Sequence, residues 1–287
     1  MSLKHTIAPM LGFGARVATR MFAGANPQFQ IAILHDVAER DFAALIRFLR
    51  DVERERGFLK PAEIDNWLKP DGAARASAGR RPPCLLTFDD GFASALPVVR
   101  DILPQFDISA VFFVCPGLID LPTPARETAV LQNVFRGMMP SQGVPSLMNW
   151  GDLAELQNAG HVVGAHGMNH IKLSAASQTE SEAEILEAGA CLERHLGRRP
   201  DWYAYAFGDI ESISAPALQI MRSRYRYCRS GIRGSNDAYS LSGVLTAQEI
   251  NLATPSEFQR AVLDGALDLR YISARRRLRA YTEMASA

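Results

Sequence analysis

Short apolar runs punctuate this chain and are separated by stretches whose apolar positions recur every three to four residues. The runs are FQIAILHDV (29–37), CLLTF (84–88), SAVFFVC (109–115), HVVGA (161–165), WYAYAFG (202–208) and YRYCRS (225–230). Branched and aromatic side chains dominate them, so they read as buried strands. The intervening stretches read as helices. ERDFAALIRFLRDVERERGF (39–58) carries Phe42, Leu45, Ile46, Phe48 and Leu49 on one face. ASALPVVRDILPQF (93–106) is a helix interrupted by prolines, and GDLAELQNAG is a helix that stops at Gly160. SQTESEAEILEAGACLERHLG (177–197) has a polar capping start, i/i+4 apolar spacing and a glycine stop. SAPALQIMRSR and the stretch from Thr254 to Tyr281 complete the set.

Strands alternating with helices predict an α/β fold with parallel strands. The number of alternations favours a distorted (β/α) barrel over an open sheet, and such barrels place active-site groups at the C-terminal ends of strands. Residues 68–83 read as a polar loop. Residues 120–149 are rich in Pro, Gly, Ser and Met around one helix, ETAVLQNVFRG, and so read as a long functional insertion. The expected organisation is an N-terminal arm (1–28), one domain (29–270) and a basic C-terminal tail (271–287).

Composition narrows the function classes. Thirty-one basic residues balance 31 acidic ones, which argues against a nucleic-acid partner. The four cysteines, Cys84, Cys115, Cys191 and Cys228, form no CxxC pair. That excludes a disulfide framework and a zinc finger, and it favours a reducing compartment. Near the N-terminus Pro9, Arg16 and Arg20 interrupt the apolar region that a secretory signal requires. The arm is expected to pack on the domain, with peripheral membrane contact as the alternative. The expected location is the cytoplasm or the inner membrane face.

The candidate chemistry begins at Asp89 and Asp90, which follow CLLTF. Adjacent carboxylates repel, and neither helps a core. After HVVGA come His166 and His170, four residues apart, a spacing that fits one face of a helical turn. Two neutral imidazoles and one carboxylate make a facial set for a divalent metal, with positions left open for water and substrate. A cation beside the aspartates keeps both ionised despite their repulsion.

LLTFDDGF, GAHGMNH and YAYAFGD, in that order, resemble the NodB-type polysaccharide deacetylases, carbohydrate esterase family four, over roughly residues 30–265. The resemblance implies a distorted (β/α)7 barrel. It also implies a hydrolase that removes N-acetyl groups, or less readily O-acetyl groups, from a bacterial-type glycan or glycan precursor. Asp89 would be the base. Asp90, His166 and His170 would ligate one divalent ion, zinc first, with cobalt, nickel or manganese as alternatives. Phe207, before Gly208, would offer its backbone N–H to the oxyanion, a role that needs no tyrosine hydroxyl.

The sequence departs from the family in four places. Ala204 stands where an arginine often braces the base, and Arg198 and Arg199 read as solvated loop charges. Ala206 replaces a proline, and Gly167 replaces a serine or threonine. The late histidine that serves as general acid is missing, since none follows His195. The third motif resembles that of the FAYPYG branch, and His35, at the end of the first strand, is the candidate acid, a placement that resembles the permuted order of the poly-N-acetylglucosamine deacetylases. His161 and His195 read as structural. A non-glycan amidase and a degenerate sugar-binding module are the alternatives.

Overall fold

The computed structural model describes residues 29–68, 81–237 and 243–284. The arm 1–28 and most of the 68–83 loop therefore lie outside the described residues. In chain order the main elements are β1 (Gln30–Leu34), α1 (Phe42–Glu55) and β2 (Cys84–Phe88). The helical run α2 follows (Ala95–Pro97, Val98–Ile102 and Leu103–Phe106), then β3 (Val111–Val114). The insertion carries α3 (Thr123–Ala129), extended by a wider turn over Val130–Val134. Next come α4 (Trp150–Asn158), β4 (Val162–Ala165) and the long α5 (Gln178–Glu182, Ala183–Glu187 and Ala188–Leu196). The chain ends with β5 (Trp202–Ala204), α6 (Ala215–Arg224), β6 (Tyr227–Arg229), β7 (Gln248–Glu249), α7 (Ser256–Leu263) and α8 (Ile272–Met284).

All seven strands run parallel, in the order β6-β5-β4-β3-β2-β1-β7. The segment 245–249 touches both edges of this sheet. Leu245 pairs with Arg229 on β6, while Gln248 and Glu249 pair with Ala32 and Ile33 on β1. The sheet therefore curls into the distorted seven-stranded barrel expected. The apolar pattern revealed six strands; the seventh is two residues long and leaves no periodic signal.

Strand parity divides the core. Ile31, Ile33, Leu85, Val111, Phe113, Trp202 and Tyr227 fill one cluster inside the barrel. Ala32, Leu34, Leu86, Phe88, Phe112, Val163 and Tyr203 face the helices in another. Alternation along a strand dictates this split. Helix α1 covers the outer face with Leu45, Phe48, Leu49 and Val52, a stripe spaced i, i+3, i+4, i+7. Each such side chain contributes roughly 1.5–3 kcal/mol when fully buried. Ser177 caps α5 reciprocally with Glu180, and Gly197 ends it at φ +66°. The basic C-terminal stretch forms the helix α8, which buries Leu278 and Thr282. No described helix is long and apolar enough to cross a membrane.

Candidate active site and metal centre

The inward parity of the strands continues past their ends. His35 lies two residues beyond Ile33, Asp89 four beyond Leu85, His166 two beyond Gly164, and Arg229 two beyond Tyr227. Their side chains meet at the barrel mouth in a cavity of about 520 Å³. All six predicted site residues line it: His35, Asp89, Asp90, His166, His170 and Phe207.

Asp90 leaves the strand phase. It adopts φ +69° and Gly91 follows at +72°. A non-glycine residue in this region costs of order 1–3 kcal/mol, a strain kept where the surroundings enforce it. A side chain at position 91 would come within 2.9 Å of Val114 Cγ1. The turn brings Asp90 Oδ1 to 3.4 Å from His166 Nε2 and 3.3 Å from His170 Nε2. Each imidazole is oriented from behind. His166 Nδ1 lies 2.7 Å from the Ala204 carbonyl, and His170 Nδ1 lies 3.1 Å from that of Asn133. A carbonyl only accepts, so each Nδ1 carries a proton; each Nε2, turned on Asp90, donates to it when the ring is charged and offers a lone pair to a metal when it is neutral. This outer-shell arrangement is the one that prepares histidines for a metal. Ligand atoms of Asp90, His166 and His170 all lie within 4.8 Å of one another. Burial opposes the Asp90 charge, but hydrogen bonds from both histidines outweigh it and hold the carboxyl well below its usual range. For His166 burial opposes the imidazolium, yet the Asp90 contact and the Asp89 and Asp90 charges push its pKa up.

The His166–His170 segment is not the helical turn that the spacing suggested. It is an irregular loop, with Gly167 at φ +84° and His170 at +60°. Buried Glu184 of α5 shapes it. Its Oε1 accepts from the backbone N–H of Asn169 at 2.8 Å and of Ile171 at 3.2 Å. A side chain at position 167 would meet that oxygen at 2.5 Å. Gly167 therefore makes room for a carboxylate, and the sequence reading missed Glu184.

Asp89 has a brace as well. Arg229 Nη2 donates to Asp89 Oδ2 at 2.5 Å, and both side chains are buried. The guanidinium lies 4.8 Å from the Phe113 ring centroid. Position 204 carries alanine, and the cation beside Asp89 comes instead from the adjacent strand. Ala204 and Arg229 are register partners between β5 and β6. Arg199 instead donates to the Arg224 carbonyl. Among the described residues nothing hydrogen-bonds Asp89 Oδ1.

Phe207 sits at φ +65° in the turn after β5, with Gly208 at +70°. Its ring packs edge-on against His170 at 4.7 Å, and the Arg136 guanidinium lies over its other side at 4.0 Å. The Gly208 carbonyl accepts from Tyr205 Oη and from the Gly231 N–H, which pins the turn. His35 is half-buried at the cavity wall, and its charge bears on Asp90. The insertion forms one side of the cleft through Val134, Phe135, Pro140–Gly143 and Pro145. Trp150 does not reach the cleft. It stacks on His195 and donates to Asp120. His161 is structural, as expected: its Nδ1 accepts from the Ala110 N–H, and burial lowers its pKa.

The family model described as polysaccharide deacetylase matches residues 76–224, just over half of the chain. No curated protein sequence matches. Among solved structures, the Streptococcus pyogenes deacetylase PplD, in complex with acetate, is 19% identical with a TM-score of 0.61. The match covers 83% of this chain and 99% of that one. IcaB from Ammonifex degensii is 22% identical with a TM-score of 0.60, covering 83% and 97% of the two chains. A de-N-acetylase from Aggregatibacter actinomycetemcomitans is 13% identical with a TM-score of 0.61, covering 82% and 100%. These likenesses establish the fold.

Proposed function

The chain belongs to the polysaccharide deacetylase family and is a carbohydrate deacetylase; from that premise we propose that it removes N-acetyl groups from a glycan or glycan precursor with the help of one divalent cation. The observation that carries this reading is the convergence of Asp90, His166 and His170 beside the Asp89–Arg229 pair. The donor set fits a borderline divalent ion: one carboxylate and two imidazoles whose Nε2 lone pairs converge. Zinc fits first, with cobalt, nickel and manganese as alternatives. When bound there, the ion supplies Lewis acidity, making water nucleophilic near neutral pH and polarising the acyl carbonyl.

The chain supplies the proton transfers and the geometry. Asp89 takes the proton of the attacking water at Oδ1, while Arg229 holds Oδ2 and fixes the carboxylate plane. The Phe207 N–H donates to the developing oxyanion. His35 gives its proton to the amine nitrogen as the C–N bond breaks, because an amide anion is too basic to leave. Acetate and a free amino sugar result.

The test is metal analysis after dialysis together with acetate release from N-acetylglucosamine oligomers. H170A is expected to lose metal and turnover together. D89N is expected to keep the metal and lose about 10²–10⁴-fold in kcat, the usual contribution of a general base. Full metal occupancy in H170A overturns the ligand assignment. Metal without turnover on any glycan transfers the reading to an amidase.

A further inference from the structure

A second set of metal-ligating side chains meets on the flank of the barrel. Cys191 and His195 lie four residues apart on the regular last segment of α5, and so share one helix face. Asp120, which ends the short helical turn Pro116–Ile119, comes up against them. One ligand atom from each of the three lies within 4.8 Å of the others. None of the three lines the active-site cavity.

Trp150 orients two of these groups at once. Its Nε1 donates to Asp120 Oδ1 at 2.8 Å, which leaves Oδ2 facing the Cys191 thiol at 3.9 Å. Its ring lies flat on the His195 imidazole, with centroids 3.9 Å apart and planes 8° from parallel. A ligand hydrogen-bonded through one oxygen and an imidazole held by stacking are the kind of outer-shell support that metal sites use. Cys191 is buried, while Asp120 and His195 are exposed. The site is therefore open to ions, and a fourth position faces water.

We propose that Asp120, Cys191 and His195 form a second divalent-cation site, distinct from the Asp90 centre and selective for zinc-like borderline ions. A thiolate, an imidazole and a carboxylate suit Zn²⁺, Co²⁺ or Cd²⁺ and disfavour Mg²⁺ or Ca²⁺. Binding breaks the S–H bond, and the proton passes to solvent. The position gives the site a purpose. Asp120 and Trp150 stand at the two ends of the insertion. Between them lie the cleft wall and Asn133, whose carbonyl orients His170. A cation here fastens both ends of the insertion to α5, which also carries Glu184. This inference does not depend on the deacetylase reading.

Cobalt separates the two sites. The full-length chain, stripped with a chelator, is titrated with Co²⁺ and followed in the near ultraviolet. Thiolate-to-cobalt charge transfer needs a sulfur ligand, which the Asp90 centre lacks. A charge-transfer band that saturates at one equivalent is expected, with two cobalt ions bound per chain. C191S is expected to abolish the band and remove one equivalent of metal. H195N is expected to weaken the band-forming site at least tenfold. A wild-type chain that shows no such band while the other site fills overturns the proposal. So does a band that survives in C191S, which assigns the sulfur to another cysteine. Failure of the Asp90 centre would leave one equivalent and an intact band, so the two readings fail separately.

Discussion

Replacing Arg229 with methionine removes the guanidinium and keeps most of the stem. In the wild type this side chain is 1% exposed and donates to Asp89 at 2.5 Å. In R229M the Asp89 carboxylate stays buried with Oδ2 unpaired, and Oδ1 already lacks a partner among the described residues. Removing one member of a buried ion pair costs about 3–5 kcal/mol. His166 Nε2, 3.9 Å from Asp89 Oδ2, offsets part of this, so the loss should sit near the lower end, about 3 kcal/mol. For a domain of this size that is roughly 6–12 °C in Tm. The assay is thermal unfolding of the chelated protein in a double-mutant cycle with D89N. D89N leaves Arg229 buried without its partner, and the double variant removes both charges. The double variant is therefore expected to be about 1–3 kcal/mol more stable than the sum of the two losses implies. Turnover in R229M should fall towards that of D89N. R229K, which keeps the charge but not the planar fork, should fall between. Additive stability losses, or an R229M Tm within a degree of wild type, would refute the pairing.

Three further outcomes are expected. H35Q should retain its metal and lose far more activity on N-acetyl substrates than on 4-nitrophenyl acetate, whose leaving group needs no proton; equal losses on both would remove His35 as the acid. G167A places its Cβ 2.5 Å from Glu184 Oε1 at φ +84°. The left-handed backbone alone costs roughly 1–2 kcal/mol, and displacing Glu184 should weaken divalent binding by calorimetry; wild-type affinity would contradict this. The chelated protein should show an acid-side and an alkaline-side loss of Tm. Burial works against the Asp90 charge, but its histidine contacts win and depress the pKa. Its contribution is therefore present above the unfolded value, about 3.9, and lost as pH falls through the folded one. Burial likewise opposes the His166 imidazolium, but the aspartates raise its pKa. That contribution is present below about 6.5 and lost as pH rises through the folded value. Loading a divalent ion should flatten the alkaline loss, and a chelated Tm that climbs steadily from pH 6 to 9 would contradict the assignment.

Most of the fold was legible because burial on both faces of a parallel sheet leaves continuous apolar runs, and because helices on its outer face keep a 3.6-residue rhythm. The seventh strand was not, since two paired residues carry no period. The candidate site was legible where strand ends and spacing coincide with chemistry, at Asp89, Asp90, His166 and His170. It was misread where backbone conformation decides. Nothing in GAHGMNH distinguishes a helical turn from a loop with His170 at φ +60°. Arg229 and Glu184 were missed although each left a trace. Arg229 stands two residues after Tyr227, on the inward parity of an apolar strand. Glu184 falls on the buried stripe Ser181, Glu184, Ile185, Ala188 of α5. An ionisable group on a face that should be apolar is the common signal, and it identifies the residue without naming its partner.

The charges at the barrel mouth explain why these pieces occur together. Asp89 and Asp90 bring two negative charges into a site where both are nearly buried, and Arg229 returns one positive charge. His166 and His170 are neutral when Nδ1 carries their only proton, so the two aspartates and Arg229 leave a net negative charge, to which buried Glu184 behind the histidine loop adds. An uncompensated buried charge is costly. The balance is met either by a proton on His166, the direction in which its pKa is pushed, or by a cation among the three ligands. On the proposed reading, a divalent ion among the three ligands would offset that negative charge. A cation there would favour an oxyanion forming beside the Phe207 N–H, as proposed, over the neutral amide that precedes it. Arg229 thus has two effects. It holds the Asp89 carboxylate in place, and it lowers the negative charge that a cation among the three ligands would have to offset.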